Sequence, residues 1–259
     1  METSPESASS SPVRLKLRVA FDGSRYLGWQ FQKEGPSIQL ALEKAFDGFL
    51  KRVSRVHGSS RTDAGVHARG LVAHVDVERL KEGVSGEKLR LALNAHLPDD
   101  IRVDEVVTAP RNFHAQYHAK GKQYRYFIWN HRANNPLIRN TCWHVPLLMN
   151  AGKAREAASF FVGERDYRSL ACEKGYEVPS TVRHLTKCRL FVRDHLWTVV
   201  IEGDGFLYKM CRTIVGTIVH VAQGKIRAND LEAILSGKDR RLAGVTAPAQ
   251  GLVLWKVYY

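Results

Sequence analysis

The sequence predicts an α+β protein made of two ferredoxin-like βαββαβ halves whose sheets form a shared basic cleft. Three observations support this. Hydrophobic periods of two and of 3.6 residues follow one another as strand, helix, strand, strand, helix, strand, and the order recurs in the second half. The 259 residues are 44% hydrophobic, enough for one large domain or two small ones to bury a core. The net charge of +13 and pI near 9.7, with Lys and Arg spread along the whole chain, imply a folded basic surface that meets a polyanion.

Residues 1–12 are rich in Ser, Glu and Pro and read as a flexible N-terminal tail. A strand over Leu15–Phe21 leads into a glycine-punctuated loop. There Tyr26, Trp29, Arg25 and Gln30 suit either stacking on RNA bases or plain buried packing. Ser37 caps a helix to about Phe49, with Ile38, Leu42, Ala45 and Phe46 on one face. A short strand near Arg55–His57, a strand Leu71–Val77, a helix Gly86–His96 and a strand Ile101–Val107 complete the first half, residues 13–109. The second half, residues 110–259, opens with an aromatic strand at Tyr124–Trp129. A helix capped by Asn150 follows to Phe161, then strands Arg183–Val192 and Trp197–Glu202. The longest helix spans about Leu207–Ala222, a small one is capped at Asn229 and stopped by Gly237, and a strand Leu252–Val257 closes the chain.

The segment Ser59-Ser60-Arg61-Thr62-Asp63-Ala64-Gly65-Val66-His67-Ala68 packs a cation, hydroxyls, a carboxylate and an imidazole beside a strand. Such density fits a functional loop on a rigid scaffold, and Asp, Ala and Gly in succession fit a turn equally well. A cation two residues from Asp63 favours a charged carboxylate, which can act as nucleophile, base or oxocarbenium stabiliser. A conventional glycosidase needs a second carboxylate and a metal nuclease needs clustered acids, and this segment has neither. Cys142, Cys172, Cys188 and Cys211 form no Cys-x-x-Cys pair and read as idle thiols in a reducing compartment, and the eleven histidines are scattered. No apolar run is long enough to span a bilayer and the start lacks a signal peptide's apolar core, so a cytoplasmic protein is expected.

Arg61-Thr62-Asp63-Ala64-Gly65-Val66-His67-Ala68 resembles the signature of the tRNA pseudouridine synthase A (TruA) family. Further blocks match in order: Phe21-Asp22-Gly23 with Gly28-Trp29-Gln30-Phe31-Gln32, Asn112-Phe113-His114-Ala115 with Tyr124-Arg125-Tyr126, and Gly163-Glu164-Arg165-Asp166-Tyr167. Gly205-Phe206-Leu207-Tyr208-Lys209-Met210-Cys211-Arg212 with Ile214-Val215-Gly216-Thr217, and Asp239-Arg240 with Ala247-Pro248-Ala249-Gln250-Gly251-Leu252, continue the resemblance to the C-terminus. It implies a pseudouridine synthase fold and an isomerase with no cofactor and no metal. The implied substrate is uridine at tRNA positions 38 to 40, flipped out, cut at N1 and rejoined through C5. On this resemblance Asp63, Tyr124 and Arg212 are the catalytic set, with Arg212 the arginine that pairs with the aspartate, and Arg61, Tyr124 and Arg212 bind substrate. The resemblance also implies a homodimer in which different subunits reach the anticodon arm and the tRNA elbow. Asp63 either attacks covalently or removes a ribose 2′ proton, while His67 shapes the loop.

Lys120, Lys122, Arg125, Lys209, Arg240 and Arg241 are the expected tRNA contacts. Ser60, where the family usually has glycine, is expected to tighten the turn. Asp204 and Lys209 stand where asparagine is common. Two other readings compete: a pseudouridine synthase with another RNA target, and a non-catalytic RNA-binding protein, against which the intact Asp63 speaks.

Overall fold

Alternation along β1 (Val13–Phe21) buries Leu15, Leu17, Val19 and Phe21 on one face and leaves Lys16 and Arg18 on the other. The computed structural model describes residues 12–50, 53–78, 80, 83–172 and 178–259; residues 1–11 of the expected tail lie outside these. Ser37 accepts a hydrogen bond from Leu40 N and starts α1 (Ile38–Asp47), whose Leu42 and Phe46 are fully buried. β2 (His57–Gly58) is a two-residue stub paired with β3 (His67–Val77). Ser85 caps α2 (Gly86–His96), which packs on β4 (Ile101–Ala109).

β5 (Gly121–Asn130) takes a short parallel partner, β6 (Trp143–Val145). Asn150 accepts from Lys153 N at the start of α3 (Ala151–Phe160). β7 (Gly163–Asp166), β8 (Val182–Arg193) and β9 (Leu196–Gly203) form antiparallel neighbours. α4 (Met210–Ala222) lies against α3 and β5, α5 (Leu231–Ser236) follows, and β10 (Leu252–Tyr258) ends the chain. Among the described residues no helix is long and apolar enough to cross a membrane.

Among the described residues ten strands form one mixed sheet in the order β4-β1-β3-β10-β5-β9-β8-β7, with β2 on β3 and β6 on β5. Two sheet faces do not meet across a cleft as the sequence led us to expect. β3 and β10 instead join edge to edge, in parallel, through Val253 opposite His67 and Leu254 opposite Ala68. The reason is that both edges present unpaired backbone groups, and pairing them removes two liabilities at once.

Two helix starts also differ from expectation. α4 begins at Met210 rather than Leu207, because Lys209 sits in the left-handed region at φ 59° and breaks the helical path. Asn229 does not cap the small helix; it lies in a 3-10 turn at Ala228–Asp230 that runs into α5, while Gly237 ends α5 as expected.

Candidate active site

The catalytic candidate lies at the tip of the hairpin made by β2 and β3. Ser59 N donates to Val72 O at 2.7 Å, so the loop leaves the sheet at a fixed point. Asp63 O accepts from Val66 N at 3.1 Å, and Gly65 supplies the positive φ of 77° that the third position of this turn needs. The turn expected from Asp63-Ala64-Gly65 is therefore present. The backbone of Asp63 makes the turn and its carboxylate faces elsewhere.

That carboxylate meets Arg212, 149 residues away: Arg212 Nη1 donates to Asp63 Oδ2 at 3.1 Å, with side-chain exposures of 14% and 23%. The same guanidinium donates from Nε to Ala247 O at 2.7 Å, so two hydrogen bonds fix its plane. Arg212 is on the first turn of α4, and the 243–247 loop that offers Ala247 O crosses that helix closely. Gly244 N donates to Thr217 Oγ1 at 3.0 Å, and Gly216 leaves room for the Val245 carbonyl. Arg212 is the arginine that the resemblance pairs with the aspartate, and the nearby signature cation Arg61 stands apart. Arg61 is exposed, and among the described residues no ion pair joins it to Asp63.

Tyr124 comes from β5, is 6% exposed, and places its hydroxyl 3.1 Å from Ser60 Oγ. Its ring stands edge-on to Phe206 with centroids 5.1 Å apart. Burial pushes its ionisation up, with the buried Cys211 thiol beside it, so the phenol stays protonated at neutral pH. Cys211 is itself buried, and burial pushes its thiol well above the ordinary range, so that side chain stays protonated. All four cysteines are free, as expected; Cys142 and Cys188 are buried as well.

Asp63, Tyr124, Arg212 and Arg61 all line one cavity of about 1410 Å³. Lys122, Lys209, Arg240 and Arg241 line it too, so four of the six expected contact residues face the same space. Lys120 and Arg125 do not. Arg125 follows Tyr124 on β5 and so points to the other sheet face, where its guanidinium stacks 3.8 Å from the Trp255 ring centroid. Arg168, Arg183 and Lys238 line the cavity and were not singled out by sequence. Their only signal was charge, which 39 Lys and Arg residues share. Burial, with Arg183 nearby, holds the Lys122 ammonium below its ordinary range. Such a cation, short of solvation, gains from a phosphate.

The opening aromatic loop proves to be a brace. Tyr26 and Trp29 are buried, Gly65 N donates to Tyr26 O, and Trp29 N donates to Thr62 O. Packing, not base stacking, is their work. His67 is a second brace: Gly23 N donates to its Nδ1 at 3.1 Å, while Nε2 faces Asn140 O and Gln250 O at 3.0 and 3.1 Å. Through Nε2 the ring ties the signature to residues far along the chain.

The family model for tRNA pseudouridine synthase matches residues 18–118 and 157–259. The tRNA pseudouridine synthases A of Ruminiclostridium cellulolyticum and Acetivibrio thermocellus are each 40% identical to this chain, over 95% of it and 99% of their own length. That of Thermoanaerobacter pseudethanolicus is 39% identical over the same shares. This chain belongs to the tRNA pseudouridine synthase family. Asp63 and Arg212 lie inside the two matched stretches, and Tyr124 lies between them, brought to the same cavity by the fold. The family resemblance read from the motifs is thus the family found. Of the departures from its usual residues, Ser60 is accommodated without a positive φ. Asp204 Oδ1 accepts from His184 N at 3.1 Å at the end of β9. Lys209 alone carries backbone strain.

Proposed function

We propose that this chain, an isomerase acting on tRNA, converts uridine to pseudouridine at positions 38 to 40 of the anticodon arm. The observation that carries the reading is the Asp63–Arg212 pair at 3.1 Å beside the Tyr124 phenol in one basic cavity. A flipped nucleotide costs about a few kcal/mol to unstack, and a cavity of about 1410 Å³ lined by Arg61, Lys122 and Arg183 offers contacts to offset it. Asp63 is the catalytic carboxylate: N1 leaves C1′ while Asp63 either bonds to the substrate or takes the 2′ proton. The uracil then turns and C5 bonds to C1′. Arg212 holds the carboxylate on its working vector, Tyr124 stacks on the base and helps remove the C5 proton, and Arg61 binds phosphate during flipping. No step in this scheme calls for a metal or a cofactor.

The fold reading rests on strand order. β4-β1-β3 with the β2 stub, and β10-β5-β9-β8, both give fourth-first-third-second, the order of a βαββαβ unit. We therefore divide the chain into a 13–109 half with the Asp63 loop and a 110–259 half with Tyr124 and Arg212. The cleft is built where the two are joined. We place the enzyme in the cytoplasm, acting as a homodimer whose subunits reach different parts of one tRNA.

Carbodiimide mapping of tRNA transcripts treated with the enzyme tests the target. Stops at positions 38, 39 or 40 are expected. Stops elsewhere in the tRNA would keep the reaction and overturn the site, and no stops would overturn both.

A further inference from the structure

Ser60 has no part in the reaction just described, yet its hydroxyl lies 3.1 Å from that of Tyr124. Its backbone is held from one side. The neighbouring Ser59 is fully buried, its N donates to Val72 O at 2.7 Å, and its Oγ accepts from Val72 N at 3.3 Å. Position 60 is therefore set by β3, while Tyr124 is set by β5 between Ile201 and Leu254. Two independently fixed strands deliver two hydroxyls to one point on the cavity wall. Among the described residues Ser60 is the hydrogen-bonding partner of the phenol.

A phenol has a single O–H, and its hydrogen bond decides which way its lone pairs point. Either hydroxyl can donate in this pair; when the phenol does, its oxygen's lone pairs are free to face the cavity. Burial keeps that phenol protonated, so it can take a proton from a base only by giving up its own. Ser60 is the group placed to receive it.

We propose that Ser60 is a positioning residue for removal of the C5 proton, orienting the Tyr124 hydroxyl and carrying its proton onward to the cavity. The proposal rests on the uridine isomerisation above. In the step, the C5–H bond breaks, its electron pair restores the C5–C6 double bond of uracil, and the displaced C6–N1 π pair moves to N1, which takes a proton from water in the cavity. The C5 proton goes to Tyr124 Oη, the phenolic proton moves to Ser60 Oγ, and the serine proton passes to water in the cavity. Both side chains finish neutral and unchanged.

The test uses tRNA transcript carrying [5-³H]uridine, with single-turnover tritium release and disappearance of uridine followed side by side. Ser60→Ala is expected to slow tritium release about five-fold, the worth of one hydrogen bond. Uridine loss and KM for tRNA should stay at the wild-type value, and Ser60→Thr should restore release. Equal slowing of both signals would make Ser60 a shaper of the Asp63 loop and overturn the proposal. So would unchanged release in Ser60→Ala, or a Ser60→Thr enzyme as slow as the alanine variant. A wild-type enzyme that releases no tritium would instead refute uridine isomerisation itself.

Discussion

Replacing Arg212 by lysine keeps the charge and removes the fork, and so separates positioning from simple electrostatics. The guanidinium spans two acceptors, Ala247 O at 2.7 Å and Asp63 Oδ2 at 3.1 Å, through different nitrogens. A single ammonium on a flexible stem cannot hold both in that geometry. The helix fixes its Cα, and the buried Ala247 offers the nearer acceptor, so the bond to Asp63 is the one expected to go. A hydrogen bond to a charged group is worth about 1.5–3 kcal/mol, or roughly ten- to a hundredfold in rate if it orients the reacting carboxylate. Arg212→Lys should therefore lower kcat by about that factor and move KM for tRNA by less than about three-fold, since the other cavity cations remain. Because the pair is partly exposed, its stability share is smaller, about 1 kcal/mol in urea unfolding. Steady-state kinetics on an anticodon-arm transcript read the first effect. A lysine variant with wild-type kcat, or with KM raised and kcat intact, would mean that Arg212 binds phosphate and does not position Asp63.

Three further outcomes follow from the packing. Gly216→Ala should destabilise by about 2 kcal/mol, although alanine normally helps a helix interior, because a Cβ there would run into the Val245 carbonyl; a stabilised variant in thermal unfolding would refute the close crossing. Lys209→Gly should gain about 1 kcal/mol by relieving φ 59° while weakening tRNA binding, and filter-binding with unfolding curves would catch a result of the opposite sign. His74 is buried against His57 and His114, and burial first, then its charged neighbours, push its pKa from 6.5 to about 4. The unfolded chain then binds more protons than the folded one between these values. His74's contribution is complete above pH 6.5 and is lost as pH falls toward 4. We expect about 2–3 kcal/mol over that window, flattened in His74→Gln; an equal slope in both proteins would assign it elsewhere.

How much of this was readable without coordinates depended on whether the signal was local. Ser37, Asn150 and the apolar faces of α1 and α2 marked their helices because caps and periods are set within a few residues. The turn at Asp63 was legible for the same reason, although the strand after it starts at His67 and not at Leu71. The β3–β10 join was not: two residue pairs of parallel bridge leave no period in either strand. β6 and β7, at three and four residues, are too short to alternate visibly. Motif resemblance put Asp63, Tyr124 and Arg212 on one candidate list and paired Arg212 with the aspartate; the fold adds the distance of 3.1 Å and the second acceptor, Ala247 O, that no motif marks. Ser60 was read as a turn adjustment because nothing in its neighbourhood points to a strand residue 64 positions away.

The account turns on Asp63 as the residue that makes and breaks bonds, and Asp63→Asn tests it with almost no change of shape. The asparagine can still accept from Arg212 and the turn at Asp63–Val66 is untouched. With tRNA carrying [5-³H]uridine, the account predicts that the variant binds with the wild-type Kd and releases no tritium. Tritium release by Asp63→Asn at a rate near that of the wild type would contradict it.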